Sequence, residues 1–113
     1  MLKKSFRLSK NKEFDQIFKG GHSFFGVFLG IKVIKNQKNF NKFGVLVGLK
    51  VSKSAVKRNL VKRRIKAVLL GEEKKMKKGY NIVLITKKEV GEEKFQEIKF
   101  EIIKGLGKLN LYV

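Results

Sequence analysis

The sequence predicts a single α+β domain in which one mixed central sheet packs against helices. The chain has 113 residues, which suits one modest hydrophobic core and is too short for two. Hydrophobic residues make up 42% of it and include ten Phe, so the chain can bury enough apolar surface to fold. Helix-like and strand-like segments follow one another without a repeat or a linker. Residues 1–113 are therefore expected to form one domain, a sandwich with the order α-β-β-(β)-α-β-α.

The first predicted element is a short helix. It should begin at Ser9 or Asn11 as its N-cap and end at Lys19, because the pair Gly20-Gly21 follows. Its apolar residues recur at helical spacing and would form one face: Phe14, Ile17 and Phe18.

Two strands are predicted next, over residues 24–34 and 43–51, which are rich in aromatic and β-branched residues. The polar segment 35–42 would join them as an antiparallel hairpin with a long loop, and the pattern leaves room for another strand within this region. Phe24 and Phe25 are adjacent, so in a strand their side chains point to opposite faces of the sheet.

A second helix is predicted over residues 54–70, with Ser52 or Ser54 as its N-cap and Gly71 just past its end. On a helical wheel, one group of its apolar residues falls in a single arc that should face the sheet: Val61, Ile65, Val68 and Leu69.

The last part of the chain predicts a loop, a strand and a helix. A charged loop covers residues 72–79, and the apolar run 80–87 predicts a central strand. The final helix, over residues 92–106, starts with two Glu that suit the dipole of its first turn. Its predicted buried stripe consists of Phe95, Ile98, Ile102, Ile103 and Leu106.

The distribution of charge points to a polyanionic partner. The net charge is +19, from 28 Lys and Arg against nine Asp and Glu. Residues 16–71 contain thirteen basic residues and no acid, and seven of the nine acids follow Gly71. Such a concentration of like charge costs stability unless a polyanion neutralises it. Nucleic acid is the expected partner, and an anionic membrane surface is the second possibility.

The second helix concentrates this charge. Arg58, Lys62 and Lys66 fall in line at i, i+4 and i+8, with Asn59 beside them. Like charges at this spacing repel each other by roughly a few tenths of a kcal/mol per pair. A row of phosphates would offset the repulsion, since Arg58 and Arg63 can grip phosphates with planar forks and Lys side chains act as point charges.

Residues 44–66, GVLVGLKVSKSAVKRNLVKRRIK, resemble the signature of the protein subunit of bacterial ribonuclease P. In that family an apolar strand leads to a Lys-rich turn and then to a helix with Arg-Asn-Arg followed by Lys-Arg. The resemblance continues in residues 7–21, in YNIVLITK and in KFQEIKFEIIKGL, so it covers nearly the whole chain in order. Two positions depart from the pattern: Leu60 stands at the second Arg, and Arg64 at a large apolar residue. They lie one helical turn apart, and the hypothesis is that they exchange roles.

The resemblance implies a ribonuclease P protein-like fold and a protein subunit that assists a catalytic RNA. That RNA would hold the catalytic Mg²⁺ and remove the 5′ leader of precursor tRNA by endonucleolytic cleavage. The basic segment would bind the RNA subunit through Lys50, Lys53, Lys57, Arg58, Asn59, Lys62, Arg63, Arg64 and Lys66. A cleft between the first helix and the sheet would bind the single-stranded leader through Phe14, Phe18, Phe28, Arg7 and Lys10.

The residues themselves predict no catalytic or metal-ligating group in the protein. There is no Cys, and the one histidine, His22, follows a Gly pair in a predicted loop. Glu13 and Asp15 are two positions apart on a helix and do not share a face. No zinc spacing, P-loop or nucleophile elbow is found, and no small-molecule substrate is expected. No long apolar run follows the basic residues at the N-terminus, so no signal peptide is predicted. No segment approaches the roughly 20 apolar residues of a membrane span, and a cytoplasmic protein is expected.

Two alternatives remain open from the sequence. A structural or ribosomal RNA-binding protein of similar fold would bind RNA without a part in cleavage, and composition does not separate it from the first interpretation. A membrane-active cationic protein would need a sharply amphipathic helix with one broad apolar face. The apolar residues of the second helix instead fall in two arcs separated by charge.

Overall fold

The computed structural model describes residues 11–47, 54–86 and 95–113. They form three α-helices and four strands in the order α1-β1-β2-β3-α2-β4-α3, and a short 3₁₀ turn, Glu73–Lys75, follows α2. The helices are α1 (Asn11–Gly20), α2 (Ala55–Glu72) and α3 (Phe95–Lys108). The strands are β1 (His22–Phe25), β2 (Leu29–Lys35), β3 (Lys42–Val47) and β4 (Tyr80–Thr86). The predicted class, an α+β domain with a mixed sheet, is confirmed.

The sheet has the strand order β1-β2-β4-β3. β2 is antiparallel to both β1 and β4, whereas β3 is parallel to β4. Parallel neighbours need a crossover connection, and α2 provides it between β3 and β4. Most of β4 is buried, as predicted for a central strand.

Two predictions about the strands were wrong. The segment 24–34 forms two strands, β1 and β2, joined by a turn at residues 26–28, so the further strand for which the pattern left room is real. The predicted hairpin between β2 and β3 does not exist, because β4 lies between them. The apolar pattern identifies strands but does not give their pairing: β4 is apolar enough to be covered on both faces, and it takes an interior place between β2 and β3.

The described helix ends lie within a few residues of the predicted ones, whereas the predicted N-caps Ser9 and Ser52 and the predicted start of the last helix at residue 92 lie outside the described residues. Ser54 is the N-cap of α2, and its hydroxyl accepts a hydrogen bond from the Lys57 amide at 3.3 Å. Gly71 does not end α2, which continues to Glu72. A glycine stops a helix most readily by entering the left-handed region, and Gly71 does not adopt it. In α3, Ile98 is buried as predicted, together with Ile102 and Leu106, whereas Phe95 and Ile103 are half-buried.

The two faces of the sheet are covered unequally. α2 and α3 cover one face and form the main core, which includes Leu29, Ile31, Phe43, Ile65, Leu69, Ile82, Leu84, Ile98, Ile102 and Leu106. Among the described residues, α1 covers the other face, where Ile17 packs on Val83 with Phe14, Ile34 and Ile85 around them. The described part of α1 is ten residues long, and Phe18, Phe25 and Leu46 are exposed on this face.

Candidate nucleic-acid interface

The basic helix α2 is anchored to the sheet by its apolar arc. Ile65, Val68 and Leu69 are buried, and Val61 packs against the same core, as the wheel predicts. Burial of one arc fixes the rotation of the helix, so its basic residues are held at fixed positions. Arg58, Lys62 and Lys66 are half-buried along the helix, while Asn59 and Arg63 are exposed.

Part of this basic surface forms a shallow depression. It has a volume of about 430 Å³. Three cationic side chains, one amide and two small or apolar side chains line it: Asn59, Lys62, Arg63, Lys66, Ala67 and Leu70. Among the described residues, no acidic side chain lines it. Long Lys and Arg side chains can lay their apolar stems along such a floor and present their charged ends at the rim. The depression, with Arg58, is called the α2 basic surface below.

Arg64 points away from this depression. Its guanidinium carbon lies 5.6 Å from the centroid of the Phe95 ring, at the start of α3, in cation–π geometry. Leu60, one turn earlier, is half-buried. The structure therefore gives Arg64 a contact inside the protein, and whether it exchanges roles with Leu60 stays a prediction. Lys57 is exposed in the first turn of α2, and Lys50 and Lys53 lie outside the described residues.

A second basic surface lies on the α1 face of the sheet. The Lys32 ammonium is 5.4 Å from the centroid of the Phe18 ring and 5.7 Å from that of Phe25. Phe18 is 43% exposed and Phe25 is 62% exposed, so both rings are accessible to a planar ligand. Phe18, Phe25 and Lys32 are called the aromatic platform below. Phe14, one turn before Phe18 on α1, is half-buried and packs against Ile17 and Val83.

The structure does not bring every predicted leader residue to this platform. Phe28 is the last residue of the β1–β2 turn and packs against the main core, which is on the opposite face. Its backbone amide donates to both carboxylate oxygens of Glu101, at 3.1 Å each. Phe14 and Phe18 are on the predicted face, whereas Arg7 and Lys10 lie outside the described residues.

Phe25 and Lys32 were missed as members of the platform. Strand alternation contained the signal, because Phe24 and Phe25 must point to opposite faces, and Phe24 does pack against the main core. The missing information was the pairing of β1 with β2, which sets Ser23 opposite Lys32 and Phe25 opposite Gly30. Without the turn at residues 26–28, this register is not visible in the sequence.

Metal-ligating side chains are not clustered in the described residues. Within ranges 11–47, 54–86 and 95–113, no three His, Cys, Asp or Glu side chains come together as metal ligands. His22, in the same part of the chain, is exposed at the start of β1. None of the helices within these ranges has both the length and the hydropathy needed to cross a membrane.

A basic helix on one face of the sheet and an aromatic, cationic platform on the other define a small RNA-binding protein. The comparison with known families agrees: the ribonuclease P family model matches residues 2–110. The chain belongs to the ribonuclease P protein family, whose members are the protein component of a ribonucleoprotein endoribonuclease.

Relatives and solved structures resemble nearly the whole chain. It is 38% identical over 107 residues to the ribonuclease P protein component of Clostridium botulinum strain 657, covering 94% of this chain and 96% of that protein. It is also 38% identical to the component of Clostridium kluyveri, covering 95% of this chain and 96% of that protein. The RNase P protein of Staphylococcus aureus superimposes with a TM-score of 0.86 at 22% identity, covering 97% of this chain and 100% of that chain. The RNase P protein of Thermotoga maritima superimposes with a TM-score of 0.70 at 24% identity, covering 91% of this chain and 93% of that chain. The two structures support the fold.

Proposed function

We propose that the α2 basic surface binds the RNA subunit of ribonuclease P while the aromatic platform binds the single-stranded 5′ leader of precursor tRNA. The observation that carries this proposal is the placement of the two surfaces on opposite faces of one sheet. A protein between two RNA segments can hold both at once only if its binding surfaces do not overlap.

Contact with the RNA subunit is electrostatic in this proposal. Lys62, Arg63 and Lys66 converge on one depression, and the described residues of α2 contain no acid before Glu72. Arg guanidinium groups can pair bidentately with phosphate, whereas Lys acts as a point charge. The interface also includes the other basic-segment residues that the family resemblance implies: Lys50, Lys53, Lys57, Arg58, Asn59 and Arg64.

Contact with the leader combines stacking with charge. Unpaired bases can stack on Phe18 and Phe25, and stacking on an aromatic side chain contributes roughly 1–3 kcal/mol per base. Lys32 lies between the two rings, where its ammonium can neutralise a phosphate that follows a stacked base. Phe14, Arg7 and Lys10 complete this surface in the proposal, through the resemblance of residues 7–21 to the opening helix of the family.

The chemical step belongs to Mg²⁺ ions held mainly by the RNA subunit. The protein increases affinity for substrates that carry a leader and neutralises phosphates that would otherwise repel the leader from the catalytic RNA. We place this activity in the cytoplasm, with tRNA precursors as the substrate.

Reconstitution tests the proposal. The protein is mixed with a bacterial ribonuclease P RNA and a precursor tRNA at low Mg²⁺, and correct 5′ cleavage is compared with that by the RNA alone. Stimulation is expected, and a protein that binds the RNA without stimulating cleavage would instead be a structural RNA-binding protein.

Two variants assign the surfaces. Phe18→Ala should reduce the preference for precursors with a leader over those without one, with affinity for the RNA subunit unchanged. Lys62→Ala should weaken binding of the RNA subunit. Lys74→Ala, at an exposed position of the 3₁₀ turn, is a charge-matched control and should behave as wild type.

Arg64→Ala tests the proposed exchange with Leu60. If Arg64 contributes to RNA binding, its loss should weaken binding of the RNA subunit about as much as Lys62→Ala. An Arg64→Ala variant that loses stability through its contact with Phe95 but binds RNA as wild type would contradict the exchange.

A further inference from the structure

An exposed apolar patch lies at the edge of the sheet, where the β1–β2 turn meets α3. Phe25 is 62%, Val27 61% and Phe100 74% exposed. With Lys104 they border one open depression of about 700 Å³. Exposed aromatic rings gathered around a single depression are typical of a binding surface. These four residues are called the edge patch below.

The turn that presents Val27 is held in place by α3. Glu101 accepts hydrogen bonds from the amide of Phe28 at 3.1 Å and from that of Leu29 at 3.4 Å. The Gly26 amide also donates to the Leu29 carbonyl at 2.9 Å. A Cβ at Gly26 would overlap the Glu101 carboxylate, so glycine is needed for this approach. The backbone of the turn that presents Val27 is therefore held in place without a ligand.

We propose that the edge patch stacks a further unpaired nucleotide of single-stranded RNA, next to the aromatic platform on the same strand. This inference rests on the proposed function. Phe25 belongs to both surfaces: its ring contacts Lys32 in the platform and borders the depression shared with Phe100. A leader that stacks on Phe18 and Phe25 thus has an uninterrupted path around edge strand β1 to Phe100 and Lys104.

Charge favours RNA over a second copy of the chain as the occupant. The net charge is +19, so two copies meeting here would bring like charges together. A basic residue lies at each end of the path, Lys32 in the platform and Lys104 beside Phe100. The acid that borders the patch, Glu101, already accepts backbone hydrogen bonds. Every base has a flat π-face, so such a site would accept any sequence.

A series of leader lengths tests the proposal. The holoenzyme is assembled from the protein and a bacterial ribonuclease P RNA, and its Kd is measured for precursors whose leaders lengthen one nucleotide at a time. Once the leader is long enough to fill the platform, each further nucleotide should lower the Kd of the wild-type holoenzyme until the edge patch is filled. Phe100→Ala should abolish this last gain, a loss of about 5-fold or more for long leaders, and leave short leaders unaffected.

Two further variants control for the side chain itself. Phe100→Tyr keeps a planar ring and should retain the gain from the long leader. Phe40→Ala is a matched control, because Phe40 also has a lysine nearby: the Lys38 ammonium lies 5.6 Å from the centroid of its ring. Phe40 lies in the β2–β3 loop, at the opposite end of β2 from the edge patch. This variant should bind all leaders as wild type.

The outcomes separate the two proposals. If Phe18→Ala lowers affinity for leaders while Phe100→Ala has no effect at any leader length, the proposal for the edge patch is wrong and the proposed function stands. If neither variant alters binding and the protein does not stimulate cleavage, the proposed function itself fails. A wild-type dimer in sedimentation that Phe100→Ala converts to a monomer, with leader affinity unchanged, would show a self-association surface and overturn the proposal.

Discussion

The contact of Glu101 with the β1–β2 turn makes a sharp prediction about stability. Glu101→Gln preserves the shape of the side chain but removes its charge and replaces one accepting oxygen with an NH₂ group. In the wild type, the Phe28 amide is shared between the two oxygens at equal distances of 3.1 Å, and the Leu29 amide reaches one of them at 3.4 Å. In the variant, at most one oxygen can accept, and the amide nitrogen faces another donor.

The size of the effect follows from these contacts. A hydrogen bond to a charged group contributes about 1.5–3 kcal/mol, against about 1 kcal/mol for a neutral one. In Glu101→Gln the acceptor of the Phe28 hydrogen bond changes from a charged to a neutral group, and the Leu29 hydrogen bond is long and weak. We therefore expect Glu101→Gln to lower the free energy of unfolding by about 1–2 kcal/mol. Glu101→Ala should cost about 2–3 kcal/mol, since both amides then depend on water entering a half-buried site.

Urea unfolding with an unchanged m-value measures the stability loss, and amide hydrogen exchange locates it. Exchange at Phe28 and Leu29 should accelerate in Glu101→Gln more than at central residues of β4. Glu97→Gln removes the same charge from an exposed position one turn earlier on α3. It should leave exchange at the turn unchanged and lower stability by about 0.5 kcal/mol at most, because Glu97 lies in the first turn of α3. If Glu101→Gln matches Glu97→Gln in stability and in exchange at the turn, the carboxylate does not hold the turn.

Three other predictions follow from single contacts. Burial and then a hydrogen bond to a carboxylate of α2 raise the pKa of Tyr112 above its usual value of 10. Above about pH 10 the tyrosine hydroxyl therefore loses its proton in the unfolded state before it does so in the folded state, and the free energy of unfolding falls. Tyr112→Phe should reduce this fall, measured by urea unfolding at pH 9–11. Gly105→Ala would place a Cβ 2.6 Å from a buried isoleucine of β2, and the overlap should lower the free energy of unfolding by about 1 kcal/mol even after the gain in helix propensity. Gly71→Ala has nothing within 4 Å of the new Cβ and should raise the free energy of unfolding by about 0.5–1 kcal/mol in the same assay. Lys62→Ala should reduce the slope of log K against log salt for the RNA subunit by about 1, and Lys74→Ala should leave it unchanged.

The local features of α2 could be predicted from the sequence because they depend on neighbours along the chain. The Ser54 cap is a contact over three residues, and the buried arc of Ile65, Val68 and Leu69 repeats with the helical period. The basic row on the same helix follows from the same period. The extension beyond Gly71 was not predicted, because a glycine ends a helix only if the chain adopts a left-handed conformation there.

The order of the strands could not be predicted because it depends on contacts between distant segments. The turn between β1 and β2 is held by Glu101, more than 70 residues away along the chain. The insertion of β4 between β2 and β3 follows from competition for the most buried position. Neither contact leaves a local pattern. The strands that carry Phe25 and Lys32 were therefore predicted as one strand, and the two residues were not recognised as platform residues.

The same sheet explains how this chain maintains a helix with so much like charge. Repulsion between Arg58, Lys62 and Lys66 acts within α2 and amounts to roughly a few tenths of a kcal/mol per pair. Burial of Ile65 and Leu69, which are 1% and 0% exposed, contributes roughly 1.5–3 kcal/mol for each side chain. The core therefore outweighs the repulsion and sets the positions of the charges before RNA arrives. Among the described residues, the opposite face carries α1 and exposed aromatic rings, so that face can serve as a binding surface without loss of the main core. Unequal coverage of one sheet thus gives the molecule both a rigid basic helix and an open aromatic platform.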